Sequence, residues 1–499
     1  MIKLVDCTLR DGGYYTNWDF DKNLIKKYFK YINQLPIDII EIGYRNKTKE
    51  GYFGEFFYLP QNTIKRLNKS TEKKLSIMLN AKDCNLKDLD NLLKDLNKEK
   101  TIIRIATAVE KLETTFLLAK EINKKGFQVA INIMYISKIV NNNLFFEKLK
   151  KLKLENNVFC LYLVDSYGSI LPMDLEKLIN KIKKVSNIEL GFHGHNNLEM
   201  ALINTLTAVK NKVKYIDSTI LGMGRGAGNL KTELFLTYLK SQKKKNVNLK
   251  TLGKLTELFV PLKKQYEWGT NLAYMVSGSY TLPQKEVMDA LKINRYSLAG
   301  IVDSLHKEEN KQNIKKLTQE NSVNSCIIIG GGESIDNHLN SIKQFLRKNK
   351  KITIIHSTSK YINKFKKLGN NQLFAVAGDE LTKLDKIYTH ISKYILEPNF
   401  KRTKEELFDK NIFYELENIN FINKYKDSPL TISLQIASNL NCKEIFLVGF
   451  DGYSELKNKK DFYLMEENQT IINSFDKALI SLTETKYKNL LQKSIYSQI

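Results

Sequence analysis

Eight short, apolar, β-branched runs punctuate the first 220 residues of the chain, and the stretches between them carry apolar residues at three- and four-residue spacing. Runs that are apolar throughout fit strands buried on both faces, and the 3.6-residue period between them fits helices that cover those faces. The pattern therefore predicts repeated βα units on a parallel sheet. The runs are Ile2–Leu9, Ile37–Gly43, Leu75–Asn80, Thr101–Thr107, Phe127–Ile133, Val158–Val164, Ile188–Phe192 and Val213–Ile220. Helical stretches between them include Asp21–Leu35, Leu86–Leu96, Glu110–Lys125, Met173–Val185 and Leu198–Lys210.

Eight βα units over about 235 residues have the size and count of a closed (β/α)₈ TIM barrel, whose site is built at the C-terminal ends of the strands. Polar residues collect at those ends: Arg10 and Asp11 after the first strand, then Glu41 and Arg45, Asn80, Arg104 and Thr107, Asn132, Asp165 and Ser166, His193 and His195, and Thr219 before the eighth loop. Any one of these is as readily structural as functional, but eight strand ends aimed at one mouth form a coherent set. His193-Gly-His195 is the sharpest of them, because residues i and i+2 of an extended segment point to the same side. Both imidazoles can reach one divalent cation if a carboxylate converges, and Asp11 is the candidate. Two unrelated surface histidines are the plainer alternative.

The eighth loop, Leu221-Gly-Met-Gly-Arg-Gly-Ala-Gly-Asn229, holds four glycines in positions 222–228. Such a loop can fold over the mouth, present N–H groups to an anion, or carry Asn229 toward a metal; a flexible turn is the alternative. No acidic residue ends a strand about 20 residues on, so the loop is not a dinucleotide fingerprint.

Composition narrows the partners. The formal charge is +25, yet lysine is scattered along the chain, which fits a solvated surface that attracts small anions better than a nucleic-acid groove. Five widely spaced cysteines without a Cys-x-x-Cys argue against a disulfide framework and against a zinc knuckle. The N-terminus lacks a leader pattern and no stretch approaches eighteen apolar residues, so a cytoplasmic protein without a membrane span is expected.

Asp6-Cys-Thr-Leu-Arg-Asp-Gly12, Asp165-Ser166, Gly191-Phe-His-Gly-His-Asn-Asn197 and Gly224-Arg-Gly-Ala-Gly-Asn229 resemble, in order, the signatures of the DRE-TIM metallolyases, and most closely the 4-hydroxy-2-oxovalerate aldolase branch, over about residues 1–300. The resemblance implies that Asp11, His193 and His195 bind a divalent metal with Asn229 beside it, that Arg10 steadies an enolate oxygen, and that Ser166 sits in the substrate pocket. Asn132 and Thr219 are placed with Arg10 and Ser166 around the substrate. Met275-Val-Ser-Gly-Ser-Tyr280 is similar to the segment that returns a tyrosine to the aldolase site, which makes Tyr280 a catalytic candidate. One departure stands out: where that branch has a histidine base three residues after the aspartate, this chain has Tyr14. Tyr14, Tyr15, Tyr280, Glu41 or a metal-bound water remain as alternatives for the base.

The residue types suit the chemistry. An enolate needs its developing charge stabilised, and one carboxylate with two imidazoles leaves coordination positions open for a 2-keto acid on manganese, magnesium or cobalt. Arg10 would act as a fixed positive clamp, and a tyrosine as proton shuttle. An acyl-CoA-dependent Claisen enzyme or lyase on the same barrel, and a non-catalytic platform for an anionic polymer, are the competing readings.

Residues 236–320 read as a helical extension, with Lys243–Asn246 as a loop, Leu249–Leu262 as an amphipathic helix and the charged stretch 307–316 as a linker. A domain over 321–499 follows. Its Ser325-Cys-Ile-Ile-Ile-Gly-Gly-Gly-Glu-Ser-Ile335 reads as strand, glycine turn and helix start, a seat for phosphate. Strands at Ile352–His356, Leu373–Ala377 and Glu444–Gly449 predict a Rossmann-like α/β sheet, with Asp451 at a strand end. Ile327–Ile335 with Ser428–Asp451 is loosely similar to bacterial sialyltransferase-like and flagellin-modification glycosyltransferase domains. That likeness implies a nucleotide or nucleotide-sugar site at Gly330, Gly331, Gly332, Ser334 and Asp451. The expected protein is a homo-oligomeric aldolase acting on a keto acid and an aldehyde, with a role in making a sugar or keto-acid component of a surface glycan.

Overall fold

The computed structural model describes residues 2–293, 298, 301–302, 305, 314–318, 323–378, 380, 387–398, 412–453 and 459–499. The chain divides into two compact units, Met1–Val287 and Met288–Ile499, so the helices expected as a separate extension belong mostly with the first.

In the first unit, β1 (Lys3–Asp6), β2 (Ile39–Tyr44), β3 (Lys74–Asn80), β4 (Thr101–Thr107), β5 (Gln128–Ile133), β6 (Cys160–Asp165), β7 (Glu189–Gly194) and β8 (Tyr215–Ser218) form a closed parallel barrel in chain order. β8 returns to β1 with Val5 opposite Asp217. Alternate residues of each strand serve two different environments. Leu4, Ile40, Ile77, Ile103 and Leu161 join the apolar layer under the helices, whereas the inward set includes Val5, Cys7, Ile102, Ala130 and Tyr162. Among the inward residues are buried charges. Arg104 on β4 pairs with Glu41 Oε1 at 3.0 Å and Asp217 Oδ2 at 2.6 Å, and its guanidinium stacks 3.9 Å from the centre of the Tyr162 ring. A buried charge needs such partners, and here each carboxylate is met by a guanidinium that cannot lose its proton.

The expected strands are found with their ends trimmed, and one segment differs in kind. Residues 7–9 do not extend the first strand; Thr8–Thr16 is a helix, so Arg10 and Asp11 sit on its first turns rather than at a strand end. Gly12 and Gly13 disfavour a helix locally, but Trp18 lies against Gly13 and donates from Nε1 to Arg10 O at 2.8 Å, holding the turn from outside. After the barrel come the helices Thr232–Ser241, Leu249–Tyr266, Leu272–Ser279 and Gln284–Ile293.

Among its described residues the second unit forms a parallel sheet of nine strands in the order β17-β16-β15-β10-β11-β12-β13-β14-β9. The strands are β9 (Lys315–Leu317), β10 (Ser325–Ile329), β11 (Thr353–His356), β12 (Gln372–Val376), β13 (Lys393–Leu396), β14 (Phe413–Leu416), β15 (Glu444–Val448), β16 (Leu479–Ser481) and β17 (Leu491–Gln492). Both faces are covered: Cys326 and Ile328 pack on the side of the helix Pro429–Asn439, while Ile327 and Ile329 pack on the side of the helix Leu339–Lys348. The linker expected at 307–316 runs into β9 at its end, and its first seven residues lie outside the described ones. The five cysteines are free and buried, and among the described residues no helix is long and apolar enough to cross a membrane.

Candidate metal centre

At the C-terminal ends of the barrel strands lies a cavity of about 420 Å³ lined by Arg10, Asp11, Tyr14, Asn132, Ser166, His193 and His195, all singled out in the sequence. β7 delivers the two imidazoles, whose ring centres stand 5.0 Å apart. His193 Nδ1 lies 2.9 Å from Asp217 Oδ2, and His195 Nδ1 lies 2.7 Å from the carbonyl oxygen of Asp165. With Nδ1–H donating in both rings, each Nε2 keeps its lone pair for the cavity, an assignment made from the hydrogen-bond partners. His193 Nε2 then faces Asp11 Oδ2 at 3.4 Å. At that distance a proton on Nε2 or a cation between the two atoms would join them.

Asn229 completes the group. Its Nδ2 donates to Asp11 Oδ2 at 2.8 Å, while its Oδ1 is buried with no hydrogen-bond partner among the described residues. The glycine loop sets this position. Asn229 bridges to His195 in an isolated β-bridge, Tyr15 Oη donates to Gly226 O at 3.2 Å, and Trp268 Nε1 donates to Leu221 O at 2.9 Å. Gly226 has φ +66°, a conformation that favours glycine, and a Cβ there would also displace the end of the Gln284 side chain, whose Oε1 would stand 1.8 Å away. One carboxylate, two imidazole nitrogens and an open amide oxygen fit a divalent ion.

Charge supports the same set. Burial alone would raise the Asp11 carboxyl, but the Arg10 guanidinium, foremost of the charges around it, brings it below its ordinary value. Burial pushes His195 down to about 3, so the ring is neutral at pH 7 and its Nε2 is available to a cation. Arg10 is ion-paired to Asp11 and, at 2.7 Å, to Glu41 Oε2. Cys7, His193 and Asp217 also have ligand atoms within 4.8 Å of one another. That trio is a poor cation site: Arg104 already neutralises Asp217, its Nη1 points at Cys7 Sγ at 3.6 Å, and burial keeps the thiol protonated.

Two sequence candidates fall elsewhere. Thr219 follows β8 and is wholly buried, bridging Lys231 beneath the loop instead of lining the cavity. Tyr280 caps the helix Leu272–Ser279 and is half exposed; from that segment it is Tyr274 O and Ser277 that meet Asn197, at 3.0 and 3.4 Å, as a buttress. Tyr14 does line the cavity, its hydroxyl 3.1 Å from that of Tyr44. Tyr44, Tyr135 and Arg225 line it too and were not chosen from the sequence, although Arg225 is the one charge in the glycine loop.

In the second unit, Gly330, Gly331, Gly332, Ser334 and Asp451 do come together where the strand order reverses between β10 and β15. The expected phosphate seat is filled by the protein itself. Ser334 donates its amide to Asp451 Oδ2 at 2.9 Å and its hydroxyl to Oδ1, and the amides of Gly330 and Gly332 donate to the carbonyls of Val448 and Gly449, each at 2.8 Å. A second anion on these groups would meet the Asp451 carboxylate.

Residues 1–259 match the family model described as HMGL-like. The chain is 27% identical over 257 residues to a 4-hydroxy-2-oxovalerate aldolase of Geobacillus genomosp. 3, covering 48% of this chain and 70% of the relative. It is 25% identical over 248 residues to an oxaloacetate decarboxylase of Mycobacterium tuberculosis, with 48% and 69% covered. The crystal structure of the N-terminal domain of a candidate aldolase from Bacteroides vulgatus aligns with a TM-score of 0.57 and 44% identity, covering 60% of this chain and 99% of that one.

Proposed function

The chain belongs to the HMGL-like family through residues 1–259, whose DRE-TIM metallolyases use a divalent metal, and from that premise we propose that the barrel is a class II aldolase working through the enolate of a pyruvate-type 2-keto acid. The observation that carries this reading is the convergence of His193 Nε2 on Asp11 Oδ2 at 3.4 Å, with His195 on the same cavity wall and the unpartnered Oδ1 of Asn229 alongside. A manganese, magnesium or cobalt ion held by these four residues would act as Lewis acid toward the carbonyl and carboxylate oxygens of the keto acid.

The remaining work falls to the chain. Arg10, fixed between Asp11 and Glu41, opposes the charge that grows on the enolate oxygen without having to reorient. Ser166 Oγ accepts from the amide of Tyr135 at 3.0 Å and donates to Val164 O over a long 3.5 Å, a bond a substrate oxygen could replace; Asn132 Oδ1 accepts from Arg104 at 3.2 Å, which leaves its Nδ2 to donate. Tyr14 holds the place of the histidine base and moves the proton of the substrate's 4-hydroxyl. Tyr44, kept protonated by burial, steadies the Tyr14 oxygen at 3.1 Å.

The test is pyruvate release from a panel of 4-hydroxy-2-oxo acids by enzyme stripped with chelator and then given back each ion. Activity restored by the ion supports the reading. Turnover that ignores the metal, or that appears only with an acyl-CoA and releases its thiol, overturns it in favour of the Claisen chemistry. The glycan role and a nucleotide ligand for the second unit belong to the same proposal, supported by the reversal of strand order between β10 and β15, and they require such a ligand to displace Asp451 from Ser334. Calorimetry of the full chain with CMP, UMP and GMP tests them, and no heat from any of the three removes them.

A further inference from the structure

The charges on the cavity wall are unevenly matched. Arg10 is spent on Asp11 and Glu41. Arg225 lines the same cavity and makes no ion pair or side-chain hydrogen bond among the described residues; its guanidinium only overlies the Tyr14 ring, 5.1 Å from the centroid. On the rim, Lys82 and Lys111 also lack ion pairs among the described residues, and the one acidic group beside them is Glu110. Three free cations thus face a single exposed carboxylate.

Arg225 is not a loose surface charge. Gly226, its neighbour, is held in the left-handed region and pinned by Tyr15 Oη, and the amide of Gly228 donates back to Arg225 O at 3.3 Å. A guanidinium on a fixed loop, partly desolvated and facing only an aromatic ring, gains little from that ring and is stabilised when a bidentate oxyanion arrives. The keto acid brings one carboxylate, and that group is directed to the metal residues and Arg10. A second oxyanion must come with the other substrate.

We infer that the aldehyde partner of this enzyme is itself an anion, drawn in by the positive rim, and that Arg225 receives its carboxylate or phosphate; the inference rests on the aldolase reading above. A neutral aldehyde would leave the guanidinium unpaired in the closed complex, and a site built for a charged hydrogen bond discriminates against partners that lack it. A charge-assisted hydrogen bond contributes about 1.5–3 kcal/mol, which is about tenfold to a hundredfold in affinity or in kcat/KM.

The experiment uses the full-length, metal-loaded protein with pyruvate and two matched pairs: glyceraldehyde 3-phosphate against glyceraldehyde, and 4-oxobutanoate against butanal. Each is measured by turnover and by calorimetric binding. At least one anion should exceed its neutral counterpart by about tenfold or more, and the pair that does so distinguishes phosphate from carboxylate. That ratio should fall toward one in Arg225→Met and be partly kept in Arg225→Lys. Neutral aldehydes equal to or better than both anions in the wild-type protein overturn the inference, whether or not the variants fold. So does a ratio that survives Arg225→Met. Loss of the aldolase reading itself shows differently, as wild-type protein that does not labilise the methyl protons of pyruvate.

Discussion

His193 Nδ1 sits 2.9 Å from Asp217 Oδ2, and that contact leaves Nε2 as the only nitrogen of the ring turned to the cavity. Asp217 itself is anchored by Arg104 at 2.6 Å, so a charge in the middle of the barrel orients the His193 ring at its mouth. Removing an orienting partner of this kind weakens metal binding by about 10–100-fold. Asp217→Ala should show that loss in a competitive metal titration restricted to protein that remains folded by circular dichroism. Unchanged affinity would mean that His193 needs no such support.

Arg104 holds Glu41 and Asp217 in a place no water reaches. Arg104→Met keeps most of the volume but leaves Glu41 to Arg10 alone and Asp217 to His193 alone, and breaking a buried pair in this way costs about 3–5 kcal/mol. Urea unfolding of the metal-free protein should report a loss of that order. A loss under about 1 kcal/mol would place the pair among interactions worth no more than surface salt bridges.

Tyr14 stands where the aldolase branch has its base, and its hydroxyl touches that of Tyr44. Tyr14→Phe should lower the rate of aldol cleavage by about 10²–10⁴-fold with little change in KM, the usual size of a general acid–base contribution. A variant with wild-type kcat would move the role to another group.

How much of this was legible in the chain depended on range. β4 is found at Thr101–Thr107 as its β-branched run predicts, because a strand covered on both faces leaves a local apolar signature. His193 and His195 were equally legible, since two residues apart on a strand is a local relation. The helix Thr8–Thr16 was not: Gly12-Gly13 reads as a turn, and what keeps it helical is Trp18, packed against Gly13 from beyond the helix end. Asp217 and Arg225 acquire meaning only on closure, when β8 returns to β1 and the glycine loop reaches the mouth. Asp451 shows the reverse case, a strand-end carboxylate that looked available to a ligand and is bound to Ser334.

His356 gives the second unit a pH dependence. Burial pushes it down to about 4, with Nε2 on Gln372 Oε1 at 2.9 Å. In the unfolded chain the ring titrates near 6.5, so below that pH the unfolded state binds the proton first. The stability it contributes is complete above about 6.5 and is lost as pH falls toward about 4, by about 3 kcal/mol in all. Denaturation at pH 7.5, 6 and 5 should become easier step by step in the wild-type protein and less steeply in His356→Gln. Equal slopes would show that other groups carry the acid sensitivity.

Proton exchange at the methyl group of pyruvate in deuterated water isolates the enolate-forming half of the reaction and needs no knowledge of the aldehyde. Wild-type protein loaded with manganese should exchange those protons, the rate should vanish on chelation and return with the ion, and Asp11→Ala should fall to background. Exchange by Asp11→Ala at the wild-type rate, or no exchange by either protein, would contradict the joint hold of Asp11, His193 and His195 on a catalytic ion.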